Sequence, residues 1–323
     1  MIQESKMKNT ETKKLITALV VLLLAGVLCV IMLHINGIID FTPEYRPDYS
    51  RKSYDVGEFG TAEKAEGKTV VVSVFVEDRY TSWQGEEEFA QLQLSYMNMG
   101  MEWIEQQAQK YGKTMEFICD WNEFPELKYV LETEDSLSNQ GDIQKGGEDI
   151  VWDFIDKQVK SAELTEKFGA ENIVYYVICN SLEGCAASTN AVDGYFHPDF
   201  GYETVYIYTI YFDQEVTPAV YAHEMLHLFG SPDLYATDWS GENYDITQEY
   251  VDYCYENRPN DIMLTTYDHD TGERYFDSIP REVTDITAYY IGWLSEAPQE
   301  VLDFGLERSQ YDPLREEEIS SEN

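Results

Sequence analysis

His223-Glu224-Met225-Leu226-His227-Leu228-Phe229-Gly230-Ser231-Pro232-Asp233 is the stretch on which the reading of this chain turns. Thr217 can cap a helix that starts just before it, and Pro218 suits the first helical position. Gly230 can close that helix in a left-handed turn. His223 and His227 are four residues apart, so on a helix both imidazoles project from one face, about one turn apart. Two neutral imidazoles so placed can grip one Zn²⁺. Glu224, beside the first of them, is placed to act as general base on a water at the metal. A catalytic zinc takes three protein ligands and keeps one position open. The turn at Gly230, stiffened by Pro232, brings Asp233 back as the preferred third ligand. Glu242 or Glu249, on a later helix, are the alternatives.

Working outward, Thr69–Val76 is a dense β-branched run and reads as a buried strand. Phe89, Leu92, Tyr96, Met99 and Trp103 then mark one face of a long helix ended by Gly112. Met97, Met99 and Met101 in it read as packing residues. Residues 115–119 form a second strand, and a polar, acidic stretch runs to about Gly147. A second helix carries Val151, Ile155, Val159 and Ala162. Ile173–Cys179 is a third strand, and Thr204–Phe212 is another, directly before the motif helix. This alternation predicts an α/β (α+β) domain, a twisted, mostly parallel sheet with helices packed on it and the active-site helix after its last strand; the expected fold, of the metzincin-like kind considered below, adds a mainly helical C-terminal part. The 204–212 strand is a candidate for binding a substrate peptide along its edge.

Of the 323 residues, 61 are acidic and 22 are Lys or Arg, a net charge of −39. Such a surface argues against nucleic-acid binding. Residues 15–35 are uncharged, with Thr17 and His34 the polar positions, and Lys6, Lys8, Lys13 and Lys14 precede them. The run predicts one transmembrane helix, an uncleaved signal anchor with a cytoplasmic N-terminus and an extracellular remainder. The competing expectation is a cleaved signal peptide and a secreted domain. The expected organisation is a cytoplasmic segment 1–14, an anchor 15–35 in the bilayer, a stalk 36–66 that is also a candidate inhibitory segment, the domain at 67–300 and an acidic tail 301–323. Outside the membrane, Cys119, Cys179, Cys185 and Cys254 allow two disulfides. Cys179–Cys185 is the first choice of pair, and buried thiols are the alternative. The acidic loop 238–261 is a weak Ca²⁺ candidate without EF-hand spacing, against a simple solvated loop. His197 reads as a loop residue and His269 as a solvated one.

Taken together, His223, Glu224, His227, Gly230 and Asp233 form HExxHxxGxxD, which resembles a metzincin motif with Asp as the third ligand. With Pro232 and Tyr235 it is similar to the immune inhibitor A group of bacterial secreted metallopeptidases. Thr287–Leu294, ending in Gly292-Trp293, resembles the helix that follows the methionine turn in that group. The resemblance covers 217–295; residues 67–212 agree only in the order of their strands and helices. It implies a compact, membrane-tethered zinc endopeptidase acting on protein or peptide substrates, with one catalytic zinc. It also implies that Met263 lies in a turn forming an apolar floor below the metal. Metzincins such as astacins carry an oxyanion-stabilising Tyr two residues after that Met. Here Thr265 holds the position, and Tyr267 and Tyr235 are the candidates. The alternatives are a catalytically inactive ectodomain that binds a partner, and a structural zinc site.

Overall fold

The computed structural model describes residues 65–138, 141, 143–182, 184–188, 191–192, 195–196, 201–211, 214–235 and 246–307. All belong to the unit Lys52–Asn323. The expected cytoplasmic segment, the anchor 15–35, the stalk up to residue 64, His197 and Glu242 lie outside them. Among the described residues no helix is long and apolar enough to cross a membrane.

Strand β1 (Gly67–Glu77) organises the sheet. Its side chains from Val70 to Val76 are fully or almost fully buried. That is why the run shows no alternation: both faces are covered, as parallel strands with helical crossovers require. Helix α1 (Glu87–Lys110) follows, and strand β2 (Met115–Ile118) returns parallel to Gly67–Val70. Strand β3 (Lys128–Glu132) pairs, also parallel, with the next part of the same edge, Ser73–Glu77. The sequence showed only a polar stretch here, because most side chains of β3 face outward and Leu131 alone is buried.

The single helix expected over 151–162 is two, α2 (Glu148–Gln158) and α3 (Ser161–Phe168). Val159 has extended backbone (ψ 129°) and breaks the helix between them. Strand β4 (Asn172–Leu182) pairs parallel with β1. Short strands β5 (Ala186–Ser188), β6 (Ala191–Val192) and β7 (Tyr195–Phe196) lead to β8 (Thr204–Tyr211), which is parallel to β4. Strand β9 (Gln214–Glu215) folds back on β8. The main sheet runs β2-β1-β4-β8-β5, with β3 on β1 and β9 on β8. It is a curled, mostly parallel sheet, as expected. The role proposed for β8 in edge pairing is not supported. β5 covers Thr204–Tyr206, and β9 covers Ile210 and Tyr211, so the ladder groups there are already taken.

Among the described residues four helices follow: α4 (Pro218–Leu228), α5 (Gln248–Asn257), α6 (Asp285–Tyr290) and α7 (Gln299–Phe304). Both expected domain boundaries move outward. Trp293 donates its indole N–H to the Ala65 carbonyl at 2.7 Å, so residue 65 belongs to the body and not to a stalk. Val301 and Leu306 are buried, and Tyr290 donates to the Leu306 carbonyl at 3.0 Å, so the first residues of the expected tail are packed.

Candidate metal centre

Helix α4 is buried on nearly all sides, including His223 and Glu224. It lies against α1 at close range. A Cβ on Gly100 would sit 3.0 Å from the Pro218 carbonyl oxygen and 3.2 Å from the Ala222 nitrogen. Tyr221 on α4 donates to Gln93 on α1 at 2.8 Å, and its carbonyl accepts from Tyr176 of β4 at 2.7 Å. Sheet and helix thus fix the depth and rotation of α4. Pro218 occupies its first turn as expected, but Thr217 does not cap it: the hydroxyl is buried without a hydrogen-bond partner. The Thr217 carbonyl accepts from Val220 N–H instead, at 3.0 Å.

At the other end Gly230 has φ +95°, a left-handed conformation that favours glycine. Gly230 N–H bonds to the His227 carbonyl and Ser231 N–H to the Leu226 carbonyl, at 2.8 and 3.2 Å. This closes the helix and returns the chain toward its own last turn. His223, His227 and Asp233 meet as a result, a group able to hold a metal ion. Neither Glu249, on α5, nor any other described acidic residue joins them.

The donor geometry is specific. His223 Nδ1 lies 2.9 Å from the Ile262 carbonyl and His227 Nδ1 lies 2.7 Å from the Ser231 carbonyl. A carbonyl only accepts, so each Nδ1 carries the proton, and in the neutral ring each Nε2 presents a lone pair. The two Nε2 atoms are 3.1 Å apart, and each is 3.2–3.3 Å from Asp233 Oδ1. These are edge lengths of a tetrahedron: ligands ~2.0–2.1 Å from a central ion stand about 3.3 Å from one another. Asp233 Oδ1 is buried, and the groups it faces are the two imidazole Nε2 atoms. Three acceptors that converge in this way can hold a cation among them. Burial lowers the pKa of His227, but Asp233 outweighs burial and lifts it to about 9. Burial would raise the Asp233 pKa; the charge on His227 and its contacts with both imidazoles hold it well below the usual carboxylate range.

The turn Asp261–Leu264 supports this centre from below. Ile262 receives His223 Nδ1, and the Met263 carbonyl accepts Leu234 N–H at 2.9 Å, which ties down the loop carrying Asp233. Met263 is fully buried, and its main chain makes the link. Asp261 holds the turn. Its carboxylate accepts Met263 N–H (2.8 Å), Thr284 N–H (3.1 Å), Thr287 Oγ1 (2.8 Å) and Thr284 Oγ1. Burial pushes the Asp261 pKa up, and these bonds oppose that by favouring the charged form. Sequence reasoning passed over Asp261; its position two residues before Met263 was the available signal.

A cavity of about 350 Å³ opens beside the triad. His223 and Glu224 line it, as do Tyr235, Tyr267, Thr265, Leu264, Val220 and Cys185. Both tyrosine candidates therefore reach the cavity; the Tyr235 ring stacks on His223 with centroids 6.2 Å apart. Glu224 faces the same space, and burial raises its pKa, while the imidazoles beside it act in the opposite sense. Arg274 and Tyr255, which sequence reasoning did not single out, also line it.

The expected Cys179–Cys185 disulfide is absent: Cys119, Cys179, Cys185 and Cys254 are free thiols. Strand β4 runs three residues past Cys179 to Leu182 and carries the chain away. Cys179 then points at the Leu137 carbonyl and Cys185 at that of Tyr208. In the 238–261 region, considered as a Ca²⁺ loop, residues 248–257 are helical, and no carboxylate cluster with metal-ligand spacing occurs there among the described residues. His269 is exposed, with its side chain 55% accessible, as expected. No protein-family profile matches the chain, and no curated protein is similar to it in sequence.

Proposed function

We propose that the protein is a zinc-dependent endopeptidase of metzincin type, similar in its motif to the immune inhibitor A group. It is anchored through residues 15–35, with the peptidase body on the outer side of the membrane. The observation that carries the activity is the convergence of His223 Nε2, His227 Nε2 and Asp233 Oδ1 at 3.1–3.3 Å. Both imidazoles are fixed from behind in the tautomer that a metal needs. The anchor is supported by the uncharged run 15–35 behind four lysines.

His223, His227 and Asp233 would hold the zinc. When bound, zinc lowers the pKa of water to about 7 and polarises a carbonyl. The remaining work falls to this chain's side chains. Glu224 carries no protein hydrogen bond among the described residues, so its carboxylate is available to take the proton of an attacking water. Burial raises its proton affinity, which suits a group that must hold that proton and then release it to the leaving amine. Tyr235 and Tyr267 offer phenolic donors toward the cavity, where the oxyanion would form. The wall of Val216, Val220 and Leu264 excludes water around the substrate.

The test is to purify the full-length chain, measure bound zinc, and incubate it with a mixed peptide library beside Glu224→Gln. About one zinc per chain is expected in both proteins, with cleavage by the wild type and a loss of ~10²–10⁴-fold in the variant. A zinc-loaded wild type that leaves every peptide intact overturns the reading in favour of an inactive, partner-binding ectodomain.

A further inference from the structure

Thr217, at the start of α4, lines the cavity beside the triad, and the residue is 2% exposed. Its hydroxyl has no hydrogen-bond partner among the described residues. We propose that this hydroxyl makes the cavity selective for peptides with a tyrosine side chain beside the scissile bond. The inference rests on the peptidase reading above and deepens it, by naming the side chain that the same cavity receives.

Thr217 stands where a threonine usually caps a helix, its hydroxyl oxygen accepting an N–H of the first turn. That bond is not made here, and Val220 N–H goes to the Thr217 carbonyl at 3.0 Å. A buried hydroxyl left unpaired is costly, and a ligand that pairs with it removes the cost. The cavity is the space from which such a partner can come. A turn of the side chain between staggered positions can carry the hydroxyl to the place of its methyl, so it can meet a group that enters. Thr265, which also lines the cavity, differs in this respect. Its Oγ1 donates to the Tyr267 carbonyl at 2.7 Å and accepts Tyr267 N–H at 3.2 Å, so it is engaged within its own turn.

Thr217, Val220 and Glu224 are spaced by three and four residues, so they share one face of α4, and all three line the cavity. Helical rise sets Thr217 about 10 Å from Glu224 along the axis. Glu224 acts at the scissile bond, so a neighbouring side chain that reaches Thr217 must be long. The cavity wall includes Val220, Leu264 and the rings of Tyr255 and Tyr267, against which an aromatic ring packs well. A phenol O–H both donates and accepts, as Thr217 Oγ1 does, so a single contact satisfies both groups. An amide tip presents two polar atoms to that one hydroxyl.

The experiment uses the zinc-loaded full-length chain and peptides blocked at both ends, identical except for Tyr, Phe or Gln at the positions flanking one cut. At one flanking position kcat/KM for Tyr should exceed that for Phe about tenfold, because Phe leaves the hydroxyl unpaired. Thr217→Val, which keeps the shape and removes the hydroxyl, should bring that ratio to within about twofold, and Thr217→Ser should keep most of it. The hydroxyl makes no bond within the chain, so Thr217→Val should unfold at a denaturant midpoint no lower than that of the wild type. Equal rates for Tyr and Phe in the wild type, or a Tyr preference that survives Thr217→Val, overturn the inference and leave the peptidase reading standing. So does a preference lost equally in Thr217→Ser, or a Gln peptide cleaved as well as the Tyr peptide. A lowered midpoint in Thr217→Val overturns it too, by showing that the hydroxyl is bonded inside the protein. If the zinc-loaded wild type cleaves no peptide, the peptidase reading falls and the inference with it.

Discussion

Asp233 and Asp261 are two inward-facing carboxylates near the same histidines, and they are treated in opposite ways. Each Asp261 oxygen accepts hydrogen bonds from the chain around it: Met263 N–H and the Thr287 hydroxyl at one, Thr284 N–H at the other. Asp233 Oδ1 receives none from the main chain or from a hydroxyl, and faces two imidazole nitrogens at 3.2 and 3.3 Å. A buried charge saturated by N–H and O–H groups is a structural element that fixes backbone. A buried charge whose neighbours are two imidazole nitrogens belongs to a group that could hold a metal ion. The contrast separates residues that would bind zinc from residues that keep the binders in place, and three experiments can break or sharpen it.

The largest effect should come from Asp233→Ala, which removes the charge beside the imidazoles. Zinc retention after dialysis against a mild chelator should be lost, and with it peptide cleavage, while the fold judged by circular dichroism persists. Retention equal to wild type would move the third ligand to another residue. Asp261→Asn should act on a smaller scale and through both stability and binding. An amide cannot accept at both of its ends, so at least one of the donors around it is left unpaired. That costs ~1–3 kcal/mol in denaturant unfolding. Zinc affinity should fall about 10–100-fold, because the loosened turn no longer fixes His223 through Ile262 or the Asp233 loop through Leu234. An unchanged affinity would show that the turn does not position the centre.

The smallest effect is on alkaline stability. Cys254 near Asp261 is pushed up to about 12, by burial first and then by the charge of Asp261. Burial also lifts Cys119 to about 12. An unfolded thiol titrates near 9.0. The folded chain keeps these protons over the range in which the unfolded chain releases them. Stability is therefore fully present below pH ~9 and declines as pH rises toward ~12. The denaturation midpoint should fall over that window, and iodoacetamide at pH 8 should label Cys119 and Cys254 only after unfolding. In Asp261→Asn the window should narrow, because Cys254 loses the neighbouring charge. Rapid labelling of the folded chain at pH 8 would contradict their burial.

Much of this arrangement was legible in the residues. The β-branched run at 69–76 could only be a covered strand, and the four-residue spacing of His223 and His227 puts both on one helical face whatever surrounds them. Gly230 announced the left-handed turn because other residues rarely adopt it. These are local properties, carried by a few adjacent side chains. The outward-facing strand β3 was not legible, because its side chains are polar and its partner, Ser73–Glu77, lies about fifty residues earlier. The break at Val159 was hidden by an apolar period that continues across it.

The sequence by itself determined the chemistry on offer: two imidazoles, two carboxylates and a glycine turn in an order that fits zinc. Only the tertiary structure decided how they are held. The carbonyl that fixes His223 comes from residue 262, the bond that fixes the Asp233 loop comes from residue 263, and Asp261 anchors both to α6. None of these contacts leaves a periodicity or a motif, because main-chain groups are the same at every position and only folding selects which of them meet. The thiols make the same point from the other side. Cys179 and Cys185 are close in number, yet the extension of β4 separates them, and so spacing alone misjudged the pair.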